Sequence, residues 1–321
     1  MKILVTGGMG LIGHNIVHKL ENDHELIIVD NHTNYGFIPQ QQIDYLINQR
    51  RKKLNNYKNY PIDITNIHNL NLIFRNHKPD LVIHCASYPR QKAVEADPAM
   101  GARVMCEGLT NLLEASIKNN VKRFVYISSS MVYGDFEHDV TEDSPCNPIG
   151  QYGIFKLMGE KLVQDYTRRT GIEHVIIRPS AVYGELDVED RVVSKFVLGA
   201  IRGQTLKVNG PDEILDFTYV DDAAEGIVQA SLCRETTNEV YNITRSADKF
   251  WTLKEAAELA IKIAGKGDLI VGPRDLSFPK RGRLHIGKAM SDFEYNPKVN
   301  VEEGFQKYYE WLKSSEYFGT K

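Results

Sequence analysis

The sequence predicts an α/β protein built on a doubly wound parallel sheet, with a smaller C-terminal lobe. Three observations predict it. Short runs rich in Val and Ile alternate with helical patterns through the first half of the chain. A glycine-rich turn follows the first of these runs. Beyond about residue 180 the texture changes to short segments punctuated by Gly and Pro.

The runs at 2–5, 25–29, 80–84 and 123–127 are apolar without strict alternation, so they read as strands buried on both faces. Between them, 11–20, 67–76 and 103–118 carry helical spacing. In the last, Leu109, Leu112, Leu113 and Ile117 recur at helical intervals. Strands alternating with helices imply right-handed crossovers and a sheet covered on both sides, the Rossmann arrangement. The polar stretch 31–60 is long for one connection and holds a predicted helix at 42–54. Its basic run at 50–53 reads as solvated surface. A further strand at 173–178 ends at Pro179, and 151–166 reads as a helix. Downstream, 192–201, 223–232, 253–264 and 302–312 are helical patterns. Residues 1–179 are therefore expected to form a cofactor-binding domain. Residues 180–321 are expected to supply mainly a substrate-binding lobe, with some segments returning to the first domain.

Bulk properties exclude several classes. The formal net charge of −3 provides no basic footprint for nucleic acid or anionic lipid. No stretch approaches the roughly 20 apolar residues of a membrane span, and the N-terminus does not read as a secretory signal. Cys85, Cys106, Cys146 and Cys233 are scattered without metal spacing, which suits reduced thiols in a cytoplasmic protein. His14 and His18 stand one turn apart on a predicted helix. With no third ligand nearby, a solvated helix face is the expectation and no metal is expected.

The turn Thr6-Gly7-Gly8-Met9-Gly10-Leu11-Ile12-Gly13 lies between the first strand and the first helix. Gly7, Gly10 and Gly13 let the backbone approach a pyrophosphate. The helix start at Leu11 and Ile12 offers unpaired N–H groups to the anion. Asp30 ends the second strand about 20 residues on, where a carboxylate accepts hydrogen bonds from adenosine ribose hydroxyls. Its charge would repel a 2′-phosphate, so NAD is expected rather than NADP. Asn31 lies beside it, and Asp63-Ile64 is a weaker candidate for the adenine edge.

Tyr152 and Lys156 stand four apart on the predicted helix and so share a face. A free tyrosine is a poor base at neutral pH, and a nearby cation favours its phenolate. Ser128-Ser129-Ser130 follows a strand at the sheet edge where ligands of such folds collect. A serine there can hydrogen-bond a substrate oxygen as it loses its proton.

These residues, with His84-Cys85-Ala86-Ser87, the stretch 128–134, 178–184 and 216–222, resemble the extended short-chain dehydrogenase/reductase family. The nearest resemblance is to its NAD-dependent nucleotide-sugar epimerases and dehydratases. The resemblance runs nearly end to end. It implies Ser129 as the catalytic serine, Tyr152 as the base and Lys156 as its partner, with Cys85, Ala86 and Ser87 lining the cofactor. It further implies a nucleotide-diphosphate sugar substrate, 4-epimerisation through a 4-keto sugar, and a homodimer formed through 102–118 and 151–166. Oxidoreductase, decarboxylase and dehydratase chemistry remain alternatives, as does a non-catalytic NAD-binding protein. Met131 stands where dehydratases carry an acidic pair, which disfavours dehydration. The chain departs from the family at Ala181 and Met105, each in place of a frequent Asn, and at Leu215 in place of a frequent Arg. Diphosphate contacts are then expected from among Arg191, Lys195, Arg274, Arg281 and Arg283.

Overall fold

The computed structural model describes residues 1–319. In chain order the first half runs β1 (Lys2–Thr6), α1 (Leu11–Leu20), β2 (Glu25–Val29), α2 (Gln40–Lys53), β3 (Tyr57–Tyr60), α3 (Ile67–His77) and β4 (Leu81–His84). It continues through α4 (Gln91–Ala96), α5 (Pro98–Ala102), a π-helical turn at Arg103–Glu107, α6 (Gly108–Lys118), β5 (Arg123–Ile127), a 3₁₀ turn at Ser130–Tyr133 and α7 (Gln151–Thr170). The second half runs β6 (Glu173–Pro179), β7 (Val182–Tyr183), α8 (Val192–Ile201), β8 (Thr205–Asn209), β9 (Thr218–Tyr219) and α9 (Val220–Leu232). It ends with β10 (Glu239–Ile243), α10 (Leu253–Ala264), β11 (Asp268–Gly272), α11 (Gly287–Phe293) and α12 (Val301–Ser314).

Seven parallel strands form one sheet in the order β10-β6-β5-β4-β1-β2-β3. The order reverses direction beside β1, which creates a crevice at the carboxyl ends of the strands. Strand period fixes the two layers. Ile3 and Val5 face a core shared with Ile16, Val17 and Ile227, whereas Leu4 faces one shared with Phe74, Leu109, Leu112, Leu113 and Val163. The leucine run of α6 is therefore core. A third core, built from Val193, Phe196, Ala256, Ala260, Phe305, Tyr308 and Leu312, belongs to the later segments. The small parallel pairs β8–β11 and β7–β9 lie there too.

The expected helix at 103–118 begins earlier. Asp97 accepts from the Met100 N–H at 3.0 Å and Pro98 occupies the first turn, so the helical run starts at Pro98 and carries a π turn within it. α7 extends to Thr170, where Gly171 ends it in the left-handed conformation. The expectation of a wet face for both His14 and His18 is corrected. His14 is buried, bonded to the Gly10 carbonyl at 2.8 Å, and burial lowers its pKa to about 3; only His18 lies on the surface, beside Glu21. Among the described residues no group of three ligating side chains is placed to hold a metal, and no helix is long and apolar enough to cross a membrane.

Candidate active site

A cleft of about 1380 Å³ runs across the carboxyl ends of β1, β2, β4, β5 and β6. Its floor at one end is the glycine turn. Gly7 has φ 66°, and a Cβ there would lie 2.6 Å from the Ala86 backbone nitrogen. A Cβ on Gly13 would lie 2.1 Å from the Gly7 carbonyl oxygen. Side chains at either position would fill the cradle or push the turn from α1, whose N-terminus is Gly10 with no side-chain cap. Leu11 and Ile12 open that helix and line the cleft.

Asp30 lies at the end of β2. Its carboxylate accepts from the Met9 and His32 N–H groups, each at 2.8 Å, and retains further lone pairs toward the cleft. Asn31 donates to Asp63 at 2.8 Å, so these two candidates form one rim, and Asp63 also accepts from the Thr65 N–H. Ile64 is buried beside them. Cys85, Ala86 and Ser87 continue from β4 along the opposite wall. Burial pushes the Cys85 thiol up to about 12, which makes it an inert lining group. The Ser87 hydroxyl is buried with no hydrogen-bond partner, and Tyr35 donates to the Ser87 carbonyl at 3.0 Å. The glycine cradle, the free helix start and this unpaired hydroxyl suit a dinucleotide.

The structure brings Ser129, Tyr152 and Lys156 to the same cleft. Ser129 caps the 3₁₀ turn and accepts from the Met131 N–H at 3.2 Å. Lys156 is buried and donates to the Ile127 carbonyl at 2.7 Å; its ammonium lies 5.8 Å from the Tyr152 ring centre and 5.2 Å from that of Tyr126. Burial lowers Lys156 to about 8, opposed by Cys85 and Glu160. The chain alone does not lower the Tyr152 pKa, contrary to expectation. Burial raises it, while the Arg191 guanidinium and the Ser129 hydroxyl pull the other way.

Met105 lies in the π turn and packs with Tyr88, Val94, Tyr152 and Phe155. It puts an apolar side chain against Tyr152, where an Asn would bring a polar group. The far half of the cleft is lined by Arg191, Lys195, Arg274 and Arg281. Arg274 pairs with Glu213 at 2.7 Å, and Lys195 with Asp190 at 2.6 Å. Arg281 has a buried, unpaired Nε, and burial lowers its pKa to about 10. Arg283 is elsewhere: it pairs with Asp139 at 2.6 Å and does not line the cleft. Sequence reasoning missed Arg90, which reaches Asp190 across the lining of the cleft. Its positive φ of 78° is a backbone property that no residue pattern there announces.

The model of the NAD-dependent epimerase/dehydratase family matches residues 3–244. The chain belongs to this family. Over 98% of its length it is 30% identical to a putative UDP-glucose 4-epimerase of Methanocaldococcus jannaschii, of which it covers 99%. Among solved structures it resembles the UDP-glucose 4-epimerase of Thermotoga maritima with UDP-glucose, at TM-score 0.87 and 29% identity, covering 98% of this chain and 99% of that one. It also resembles the UDP-glucuronic acid 4-epimerase of Bacillus cereus in complex with UDP-glucuronic acid and NAD, at TM-score 0.89 and 27% identity, with the same coverage. Membership of the epimerase/dehydratase family makes the chain an NAD-dependent enzyme.

Proposed function

We propose that the protein is a nucleotide-sugar 4-epimerase in which Tyr152 is the base, Lys156 its cationic partner and Ser129 the donor to the reacting oxygen. The observation that carries this reading is the meeting of these three side chains beside the glycine turn in one cleft. Gly7, Gly10, Leu11, Ile12 and Gly13 would hold the pyrophosphate of NAD, and Asp30, with Asn31, Asp63 and Ile64 beyond it, the adenosine end. Cys85, Ala86, Ser87, Tyr152 and Lys156 would line the rest. Bound NAD supplies a hydride acceptor that later returns the hydride, and a positive ring that favours the phenolate. Tyr152 takes the proton from the sugar C4 hydroxyl, and Ser129 hydrogen-bonds that oxygen as its charge changes. Lys156, fixed on the Ile127 carbonyl, holds a positive charge one helical turn from the phenol. Arg191, Lys195, Arg274 and Arg281 are the groups for the diphosphate, with the Arg fork suited to its oxygens.

Met131 is buried where dehydration would need an acid. A thioether carries no proton, which favours epimerisation over loss of water. We also propose a homodimer through the helical run 98–118 and α7, where Met100 and Ile154 are exposed. Light scattering tests it.

Tyr152→Phe is expected to lower turnover by at least about 10²-fold while NAD still binds. Retained turnover defeats the assignment. Assay against UDP-, GDP-, CDP- and dTDP-sugars is expected to give a 4-epimer without net NADH. A steady rise at the NADH band indicates an oxidoreductase instead. NAD binding with no turnover on any sugar indicates a non-catalytic NAD-binding protein.

A further inference from the structure

Glu160 and Arg178 form a salt bridge whose side chains are 1% and 6% exposed, yet neither lines the cleft. A buried pair gains little stability, because desolvation of both charges offsets their attraction. The geometry gives it another use. Arg178 grips the carboxylate with both prongs, Nε to Oε1 at 2.9 Å and Nη2 to Oε2 at 2.7 Å. Its remaining nitrogen donates to the Tyr133 hydroxyl at 2.9 Å and the Glu142 carbonyl at 3.0 Å. The Ser128 hydroxyl donates to the same carboxylate at 2.5 Å.

Ser128 immediately precedes Ser129, and Glu160 lies one helical turn beyond Lys156 on the same face of α7. Two rungs therefore tie α7 to consecutive residues at the exit of β5: Lys156 to the Ile127 carbonyl, and Glu160 to the Ser128 hydroxyl. The close approach is made possible by Gly159, where a Cβ would stand 2.2 Å from the Tyr126 hydroxyl.

We propose that Glu160, gripped by Arg178, is a positioning residue of the reaction, holding the Ser129 corner and the Lys156 ammonium in register. This rests on the roles given above to Ser129, Tyr152 and Lys156. The groups facing the ammonium support it. Tyr152 and Glu160 lie on its own helix, Tyr126 comes from β5, and His84 and Cys85 come from the end of β4. Burial keeps His84 neutral, with a pKa lowered to about 3, and holds the Cys85 and Tyr126 protons on. Glu160 is thus the carboxylate that sustains the charge on Lys156.

The test uses the NAD-loaded protein. Glu160→Gln removes the charge and strands Arg178, so Glu160→Gln/Arg178→Met removes the stranded cation as well. Ser128→Ala cuts one rung and leaves the ion pair whole. The double variant is expected to keep KM within about twofold and lose about 10²-fold in kcat, the scale of a misplaced reacting group. Ser128→Ala should lose less, again in kcat rather than KM. Without the carboxylate the neutral amine is favoured, so the alkaline limb of kcat should move to lower pH in Glu160→Gln. Purely structural loss would lower Tm and leave that limb in place. Unchanged kcat in folded Ser128→Ala, or an unmoved limb in a folded Glu160 variant, overturns the proposal. Retained turnover in Tyr152→Phe would instead defeat the underlying assignment.

Discussion

Ala181 has φ 38°, in the left-handed region, at a position where the resemblance leads one to expect Asn. A Cβ makes this region costly by about 1–2 kcal/mol, and Asn tolerates it better than Ala because its short side chain bonds locally. A role for Asn in phosphate contact, which the resemblance implies, and a backbone preference for Asn are thus separate reasons for one residue. Only the second is tested by stability. Ala181→Asn is expected to stabilise the fold by about 0.5–1 kcal/mol, read as a higher Tm. A lower Tm shows that the surroundings, including the Thr218 N–H bond to the Ala181 carbonyl at 3.3 Å, reject the larger side chain. At this scale the sequence was informative wherever chemistry depends on residue type. The glycines, Asp30, Ser129, Tyr152 and Lys156 stand out by residue type and spacing, and the structure brings them to one cleft. Arg178, by contrast, read as a strand residue and Glu160 as a helix residue, because their pairing is a contact between elements 18 positions apart.

Elements were legible in proportion to how completely they are buried. β1, β2, β4 and β5 lie inside the sheet, and their apolar runs announced them. β3 is an edge strand with the polar sequence YKNY and none of its residues fully buried, so it offered no such run. β10 sits at the other edge, after α9 has packed against α1, and its place follows from pairing with β6 rather than from its own pattern. The helical run from Pro98 shows the same limit. Its apolar period is interrupted by the π turn, where Met105 is turned in beneath Tyr152. Its start depends on one capping contact, Asp97 to the Met100 N–H. Asp97→Ala is expected to destabilise the protein by about 1 kcal/mol, measured by urea unfolding. Asp97 is exposed at the wall of the cleft; if it serves only as the cap, kcat should hold at wild-type level in the folded variant. A loss of kcat at full stability means that the cap sets the position of Met105 instead.

For the whole molecule, the decisive question is what joins the sheet to the later segments around one cleft. Arg50 is a direct link. It is buried, comes from α2, and donates to the Met9 carbonyl in the glycine turn at 2.7 Å and to the Leu186 carbonyl beyond β7 at 2.6 Å. Burial lowers its pKa to about 10, with Asp187 and Asp30 opposing, so it stays charged at neutral pH. One guanidinium thus holds the glycine turn against the segment that leads into α8, whose start lines the other half of the cleft. The sequence showed Arg50 only as part of a basic run at 50–53 and assigned that run to solvent. The error has a physical source: a helix at the junction of two cores has a buried face that one core's period cannot reveal. Arg50→Met keeps the apolar stem and removes both donors. It should cost about 3 kcal/mol, since two charged hydrogen bonds are lost and two buried carbonyls are left unpaired. If Arg50 couples the halves, NAD and nucleotide sugar should both bind more weakly to the folded variant, and any effect of saturating NAD on sugar affinity in the wild type should be reduced in it. Calorimetry of each ligand with and without the other reads this directly. A variant that loses stability but keeps both affinities, and the effect of one ligand on the other, shows that Arg50 holds the fold together without transmitting anything between its parts.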